Sequence, residues 1–202
     1  IGPKTIKKYE SEIKKAKIAT LEGQRLFESI VLGRDCRETP VITSRICGIC
    51  PTIHSVTAIK ALEKALQIIP SYETQVLRKL LLGAQLIHSH ALHLFFLSFP
   101  DFLSIEDDRQ LLPKYAKEAK IALELRELGN QIITEIGGRA IHPMANTIGG
   151  FRRQPSKARL EQLKYQADKL IKKAEIFLEL FLNLPFPQFK RETEYIALAP
   201  SN

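Results

Sequence analysis

The sequence predicts a mainly α protein, a helical bundle with functional loops at the helix ends. Three features predict it. Apolar residues recur every three or four positions along most of the chain, Pro, Gly and Ser stand where such runs begin or end, and no repeat or low-complexity linker interrupts them. With 202 residues and 45% apolar content the chain can bury one sizeable core, so 1–202 reads as a single domain or a large part of one. Within it 1–21 is peripheral, 22–70 carries a cysteine motif, 71–184 forms the bundle and 185–202 is a tail.

Residues 3–20 are dense in Lys and Glu with sparse Ile6, Ile13 and Ile18, compatible with a short helix or a peripheral strand. From Glu22 to Leu32, Leu26, Phe27, Ile30 and Val31 fall at helical spacing, and Gly33 supplies a stop. Pro40, Gly48 and the β-branched Val41, Ile42 and Thr43 make 34–50 a loop. Pro51 suits the first position of a helix whose stripe Ile53, Val56, Ile59, Leu62, Leu66 and Ile69 runs until Pro70. Ser71 caps the next helix, apolar at Val76, Leu80, Ile87, Ala91 and Leu94, which Pro100 should stop near Phe99. A fourth helix spans Pro113 to Ile136, ended by Gly137-Gly138. A fifth runs from the Ser156 cap to about Asn183, before Pro185 and Pro187.

Composition excludes several functions. The densest apolar stretch, Ala91 to Phe99, contains His93 and falls short of the roughly 18 uncharged residues of a membrane span. The net charge of +8 comes from basic residues interleaved with Glu (Lys7 and Lys8 with Glu10 and Glu12, Lys114 and Lys117 with Glu118), a solvated helical face rather than a nucleic-acid surface. Three cysteines, Cys36, Cys47 and Cys50, two of them three apart, do not make a disulfide framework, so reduced thiols in the cytoplasm are expected. The start, Ile1-Gly2-Pro3, reads as a processed or partial product.

The sharpest feature is Arg45-Ile46-Cys47-Gly48-Ile49-Cys50-Pro51-Thr52-Ile53-His54. Two thiols three apart can face one metal, and Gly48 lets the backbone turn between them. Cys50 precedes a helix, where free N–H groups and the dipole favour its thiolate. His54, one turn on, is within reach of that sulfur.

This segment, within the longer stretch from Gly33-Arg34 through Ala58 and Glu63, resembles the first metal-binding signature of nickel-iron hydrogenase large, catalytic subunits. Arg25-Leu26-Phe27-Glu28 resembles the segment ahead of it, and Gly137-Gly138-Arg139-Ala140-Ile141-His142-Pro143 with Gly149-Gly150 resembles the family's glycine and histidine loop. The resemblance covers about residues 20–155 and is strongest to the cytosolic multisubunit branch, by the Leu86–Phe102 stretch with His88, His90, His93 and Pro100-Asp101. It implies an N-terminal portion of such a subunit, catalysing reversible heterolytic cleavage of H2. Cys47 would be a terminal nickel ligand, Cys50 a bridge between nickel and iron, and His54 a catalytic neighbour. Glu28 would be a ligand of a secondary divalent ion, usually magnesium. Carbon monoxide and cyanide on the iron, a partner in the form of an iron-sulfur small subunit, and further electron-transfer subunits are implied in the same way.

The sequence departs from that pattern in having no second C-x-x-C and no Arg-bearing segment for the iron's diatomic ligands. The proton-relay Glu is also missing, since Glu22-Gly23 stands too near Glu28 to be its equivalent. The remaining half of the site must come from the same or a separate chain, leaving an apolar face to be covered. Two other readings stay open: a non-catalytic scaffold in an electron-transfer complex, and a zinc-stabilised module using Cys36, Cys47, Cys50 and His54. His88, His90 and His93 read as hydrogen-bonding core groups, His142 and Arg139 as loop-shaping residues, and Cys36 as a buried thiol.

Overall fold

The computed structural model describes residues 25–105, 107–186, 188, 192 and 194–197. The readings of 3–20 and of Glu22-Gly23, and much of the 185–202 tail, lie outside them. The chain divides into two units, 1–34 and 35–202. In the first, α1 (Leu26–Val31) ends at Leu32, and Gly33 follows in the left-handed region at φ +75°.

In the second unit a 3-10 turn (Cys36–Glu38) leads into α2 (Thr39–Ser44), followed by α3 (Pro51–Ala65) and α4 (Tyr72–Leu92). A π-helical stretch, His93–Ser98, passes into α5 (Phe99–Phe102), a second 3-10 turn (Asp108–Gln110), α6 (Leu111–Lys114) and α7 (Ala116–Gly137). A two-stranded antiparallel hairpin, β1 (Asn146–Thr147) and β2 (Gly150–Phe151), pairs Asn146 with Phe151 and precedes α8 (Lys157–Leu182). The mainly helical bundle is as expected. Its centre is the α4–α7 pair, with α8 packed on α7 and α3 on α4.

Local signals set several boundaries. The Ser71 hydroxyl accepts from the Thr74 amide at 3.2 Å, the Ser156 hydroxyl from the Arg159 amide at 3.4 Å, and Gly138 closes α7 at φ +89°. Three expectations need correction. Residues 39–44 are helical rather than looped, because Pro40 sits at the helix start and the Thr43 hydroxyl caps back onto the Thr39 carbonyl at 2.9 Å. Helix α3 ends at Ala65 and not near Pro70, Gln67 turning with φ +57°. Pro100 does not stop its helix. The ladder widens before it, the Phe99 amide bonding five residues back to the Leu94 carbonyl, which opens the turn where the proline ring would otherwise clash.

The continuous helical run Tyr72–Phe102 is long and apolar enough to cross a membrane by length and composition, with a mean hydropathy of 1.4 in its most apolar window. That corrects the expectation from the sequence. Its buried face, however, carries Arg78, Gln85 and His88 among Leu77, Leu81, Ala84 and Ala91, the composition of a helix packed inside a protein.

Two apolar clusters fill the unit. One joins Val56 of α3, Leu77, Leu81 and Ala84 of α4, Leu128, Ile132, Ile133 and Ile136 of α7 and Leu163 of α8. The other is aromatic: Phe95, Phe99, Phe177 and Phe181, with Leu111, Ala119 and Ala122. Each fully buried side chain of this size contributes about 1.5–3 kcal/mol. The α3 stripe is covered only in part. Val56 and Ile59 are buried alongside Thr52, Ser55 and Glu63, while Ile53, Leu66 and Ile69 are exposed. On α4, Val76, Leu80 and Ile87 share one exposed face with Gly83, whose surroundings are open.

Candidate metal centre

Cys47 and Cys50 sit where α2 hands over to α3. Helix α2 closes with the Arg45 amide on the Ile42 carbonyl and the Ile46 amide on the Thr43 carbonyl, and the chain then turns through Gly48 into α3. Cys50 is the residue just before Pro51, at the head of α3, and its amide donates to the Cys47 sulfur at 3.2 Å. Both sulfurs are free and half-buried.

Two contacts hold this turn from behind. The buried Gln85 of α4 donates from Nε2 to the Ile49 carbonyl at 2.6 Å, gripping the loop between the two cysteines. His142 donates from Nδ1 to the carbonyl of Ser44, the last residue of α2, at 2.8 Å. The His142 loop is folded back tightly. Met144 and Ala145 amides both reach the Gly137 carbonyl at 2.9 Å, and a Cβ on Gly137 would stand 2.5 Å from that of Pro143, so only glycine fits there. Arg139 braces the loop through Nε on the His142 carbonyl at 2.6 Å.

Deeper in, Glu63 of α3 and Arg78 of α4 form a two-pronged ion pair, both bonds 2.7 Å and both side chains about 5% exposed. Arg78 also reaches the Asn146 side-chain oxygen and the Thr147 carbonyl, each at 3.0 Å. The Gly149 amide, in the hairpin turn at φ +82°, donates to Glu63 at 2.7 Å. One carboxylate and one guanidinium thus tie α3, α4 and the hairpin together. Burial pushes the Glu63 carboxyl up, but the bonds from Arg78 and Gly149 and the charges of Arg78 and Lys60 outweigh it and hold it below the usual range.

The thiols are unequal. Hydrogen bonding from the Cys50 thiol, helped by the Cys50 and Ile49 amides, lowers Cys47. Burial, then the bond to Cys47, pushes Cys50 up to about 11. Of the two thiols Cys47 is therefore the more readily ionised. The helix dipole favours a thiolate on Cys50; burial of that sulfur reverses the order.

The other predicted residues fall as follows. His54 is half-buried on α3 and, among the described residues, its ring makes no hydrogen bond to Cys50 or to anything else. Glu28 belongs to the first unit, where it is exposed and pairs with Arg25 at 2.7 Å. Cys36 is exposed rather than buried. Of His88, His90 and His93 only His88 is buried. Its Nδ1 has no partner, and burial together with the charge of Arg126 lowers its basicity. His90 and His93 are exposed.

Among the described residues no three His, Cys, Asp or Glu side chains come together to hold a metal, so the Cys36, Cys47, Cys50 and His54 zinc set is not assembled. The donors present are two adjacent free sulfurs, which suit a soft divalent metal as two of its ligands and leave the others to be supplied. Sequence reasoning missed Gln85 and the roles of Glu63, Arg78 and Asn146. The available signal was polar Arg78 and Gln85 on the same face of α4 as Leu81 and His88.

Two free thiols on one turn, braced from behind by buried polar groups in a helical frame, set out the donor pair of a candidate metal centre. Residues 25–122 match the family model described as nickel-dependent hydrogenase. The chain is 35% identical over 189 residues to the alpha subunit of sulfhydrogenase 1 of Pyrococcus furiosus, covering 93% of this chain and 44% of that protein. To the alpha subunit of sulfhydrogenase 2 of the same organism it is 39% identical over 170 residues, covering 84% and 41%. Among solved structures, an NAD+-reducing [NiFe]-hydrogenase in the H2-reduced state superposes with a TM-score of 0.73 at 29% identity, covering 80% of this chain and 38% of that one. The chain belongs to the nickel-dependent hydrogenase family, and it spans less than half the length of these relatives.

Proposed function

We propose that this chain supplies the N-terminal part of the catalytic subunit of a nickel-iron hydrogenase, which cleaves H2 heterolytically and reversibly into protons and electrons. The observation that carries the reading is the free Cys47–Cys50 pair on a hydrogenase frame. Cys47 would be a terminal nickel ligand and Cys50 the bridge between nickel and iron. Bound there, the metal pair supplies soft Lewis acidity toward H2. The protein's own part is to hold and move the proton. The Cys47 sulfur can accept it, and the Cys50 amide, 3.2 Å away, steadies the charge left when it leaves. His54, with a ring free of other bonds, can turn to Cys50 and tune it.

The exposed face Val76, Leu80 and Ile87 supports a partner that completes the core, namely the remaining half of the large subunit on the same or a separate chain. An iron-sulfur small subunit would take the electrons. Three free cysteines fit a reducing, cytoplasmic setting. Elemental analysis of the complex as isolated, with H2 uptake, tests the reading. Nickel together with iron is expected, and a complex holding only zinc, or no metal, would overturn it. Glu28 is assigned to a secondary divalent ion such as magnesium. Glu28→Gln should leave nickel and iron bound and lower H2 uptake about tenfold; unchanged uptake removes that role.

A further inference from the structure

We propose that Gln85 is a positioning residue for the metal-binding cysteines, acting through a single peptide group on the sulfur of Cys47. The inference rests on the reading above that these cysteines hold nickel and iron. The Ile49 carbonyl and the Cys50 amide are the two ends of one planar trans peptide and point in opposite directions. Gln85 Nε2 holds the carbonyl end at 2.6 Å and the Cys47 sulfur holds the amide end at 3.2 Å. Bonds at both ends prevent the plane from flipping, and they set the direction from which Cys47 receives its donor.

Among the described residues nothing on the outer side of the turn does this work. Gly48 is exposed, a Cβ there would meet nothing within 4 Å, and Ile49 is 43% exposed. The inner side is rigid. Gln85 is 1% exposed, and the helix around it is pinned where α7 crosses it at Gly129: a Cβ on that glycine would stand 2.7 Å from the Ala84 carbonyl and 2.9 Å from the His88 Cβ. Gln85 thus reaches the loop from a fixed base.

The arrangement also has an electronic consequence. A carbonyl that accepts a hydrogen bond polarises its peptide and makes the N–H at the other end a stronger donor. The donor draws density from the sulfur, and hydrogen bonds to ligating sulfurs raise the reduction potential of the metal they hold. Gln85 therefore sets both the aim of Cys47 and the potential of the metal bound to it, without touching either.

The test uses the assembled complex with its small subunit. Gln85→Met keeps the length of the side chain and removes the donor. Nickel and iron should stay at the wild-type ratio, the midpoint of the paramagnetic nickel signal should move to more negative potential, and kcat should fall about tenfold with KM for H2 unchanged. Gln85→Glu keeps the reach, and as a buried carboxyl it stays protonated at the acid end of the stable range and can donate; there it should restore the wild-type midpoint. If Gln85→Met fails to assemble, Gln85→Glu carries the test. An unchanged midpoint and kcat in Gln85→Met, or no restoration in Gln85→Glu, overturns the inference while the hydrogenase reading stands. A wild-type complex without nickel and iron overturns the reading itself.

Discussion

Around Phe99 the bundle is held by rings. Phe95 and Phe99 lie 5.6 Å apart, Tyr115 meets Phe99 edge-on at 4.9 Å, and Phe181 packs against Phe99 at 5.5 Å, with no buried charged group among them. Around Glu63 the material is different. A buried ion pair, an asparagine, a backbone amide and a backbone carbonyl converge from two helices and a hairpin, and Gln85 and His142 reach on to the cysteine turn. Ring packing is non-directional and tolerates small displacements, whereas hydrogen bonds to charged groups fix distance and angle. The bundle therefore places bulk cohesion at one end and positional precision at the end that presents the thiolates. Substitutions at the two ends should fail in different ways.

The largest effect belongs to the cysteines themselves. Cys50→Ala should abolish assembly of nickel and iron and with it H2 uptake, while the folded chain persists by circular dichroism. Normal turnover in this variant would remove the assignment of Cys50 altogether. Next comes Glu63→Gln, which leaves the Arg78 guanidinium buried without its counter-charge. Its thermal unfolding should show a loss of about 3–5 kcal/mol. Replacing both partners, Glu63→Met with Arg78→Leu, should recover most of that stability, since apolar residues of similar volume pack without the desolvation cost. The double variant should nevertheless load less nickel, because the bonds to Asn146, Thr147 and Gly149 are gone. Full metal content in the double variant would show that the ion pair serves stability alone.

Phe99→Ala makes the opposite case. Emptying a site 1% exposed costs about 3–5 kcal/mol in unfolding free energy, and the protein that remains folded should carry its full complement of metal. Loss of metal in proportion to the loss of stability at both ends would erase the distinction between them.

How much of this could be read from the sequence follows the same division. The caps at Ser71, Ser156 and Gly138 and the helix start at Pro51 were legible because each is a local bond among neighbours. The cysteine motif was legible as well, its chemistry lying within four residues. The bracing was not. Arg78 to Asn146, Gly149 to Glu63 and Gln85 to Ile49 join residues 68, 86 and 36 positions apart, and spacing along the chain gives no hint of them. Helix α2 was hidden by Val41, Ile42 and Thr43, whose weak helix propensity is overridden by packing on α3. The expectation that the helix start favours the Cys50 thiolate is opposed by burial of that sulfur, because the helix dipole is visible in sequence and burial is not. Along α3 and just past its end, apolar spacing named Ile53, Leu66 and Ile69 as core, yet in this unit they are exposed while Glu63 is buried.

The smallest expected effect is a pH dependence that isolates the polar end. The Glu63 carboxyl is held below the usual range in the folded protein, so its contribution is fully present above the ordinary glutamate value and is lost as the pH falls through the lowered folded one. Glu63→Gln carries no such proton. The gap in unfolding temperature between wild type and Glu63→Gln should hence be widest at neutral pH and narrow steadily on acidification below the ordinary glutamate range, whereas the gap for Phe99→Ala should stay constant over the same interval. A series of melts from neutral to acid pH measures both gaps at once. If the two narrow together, protonation of other carboxylates governs acid stability, and the Glu63–Arg78 pair adds nothing particular to the end of the bundle that holds the cysteines.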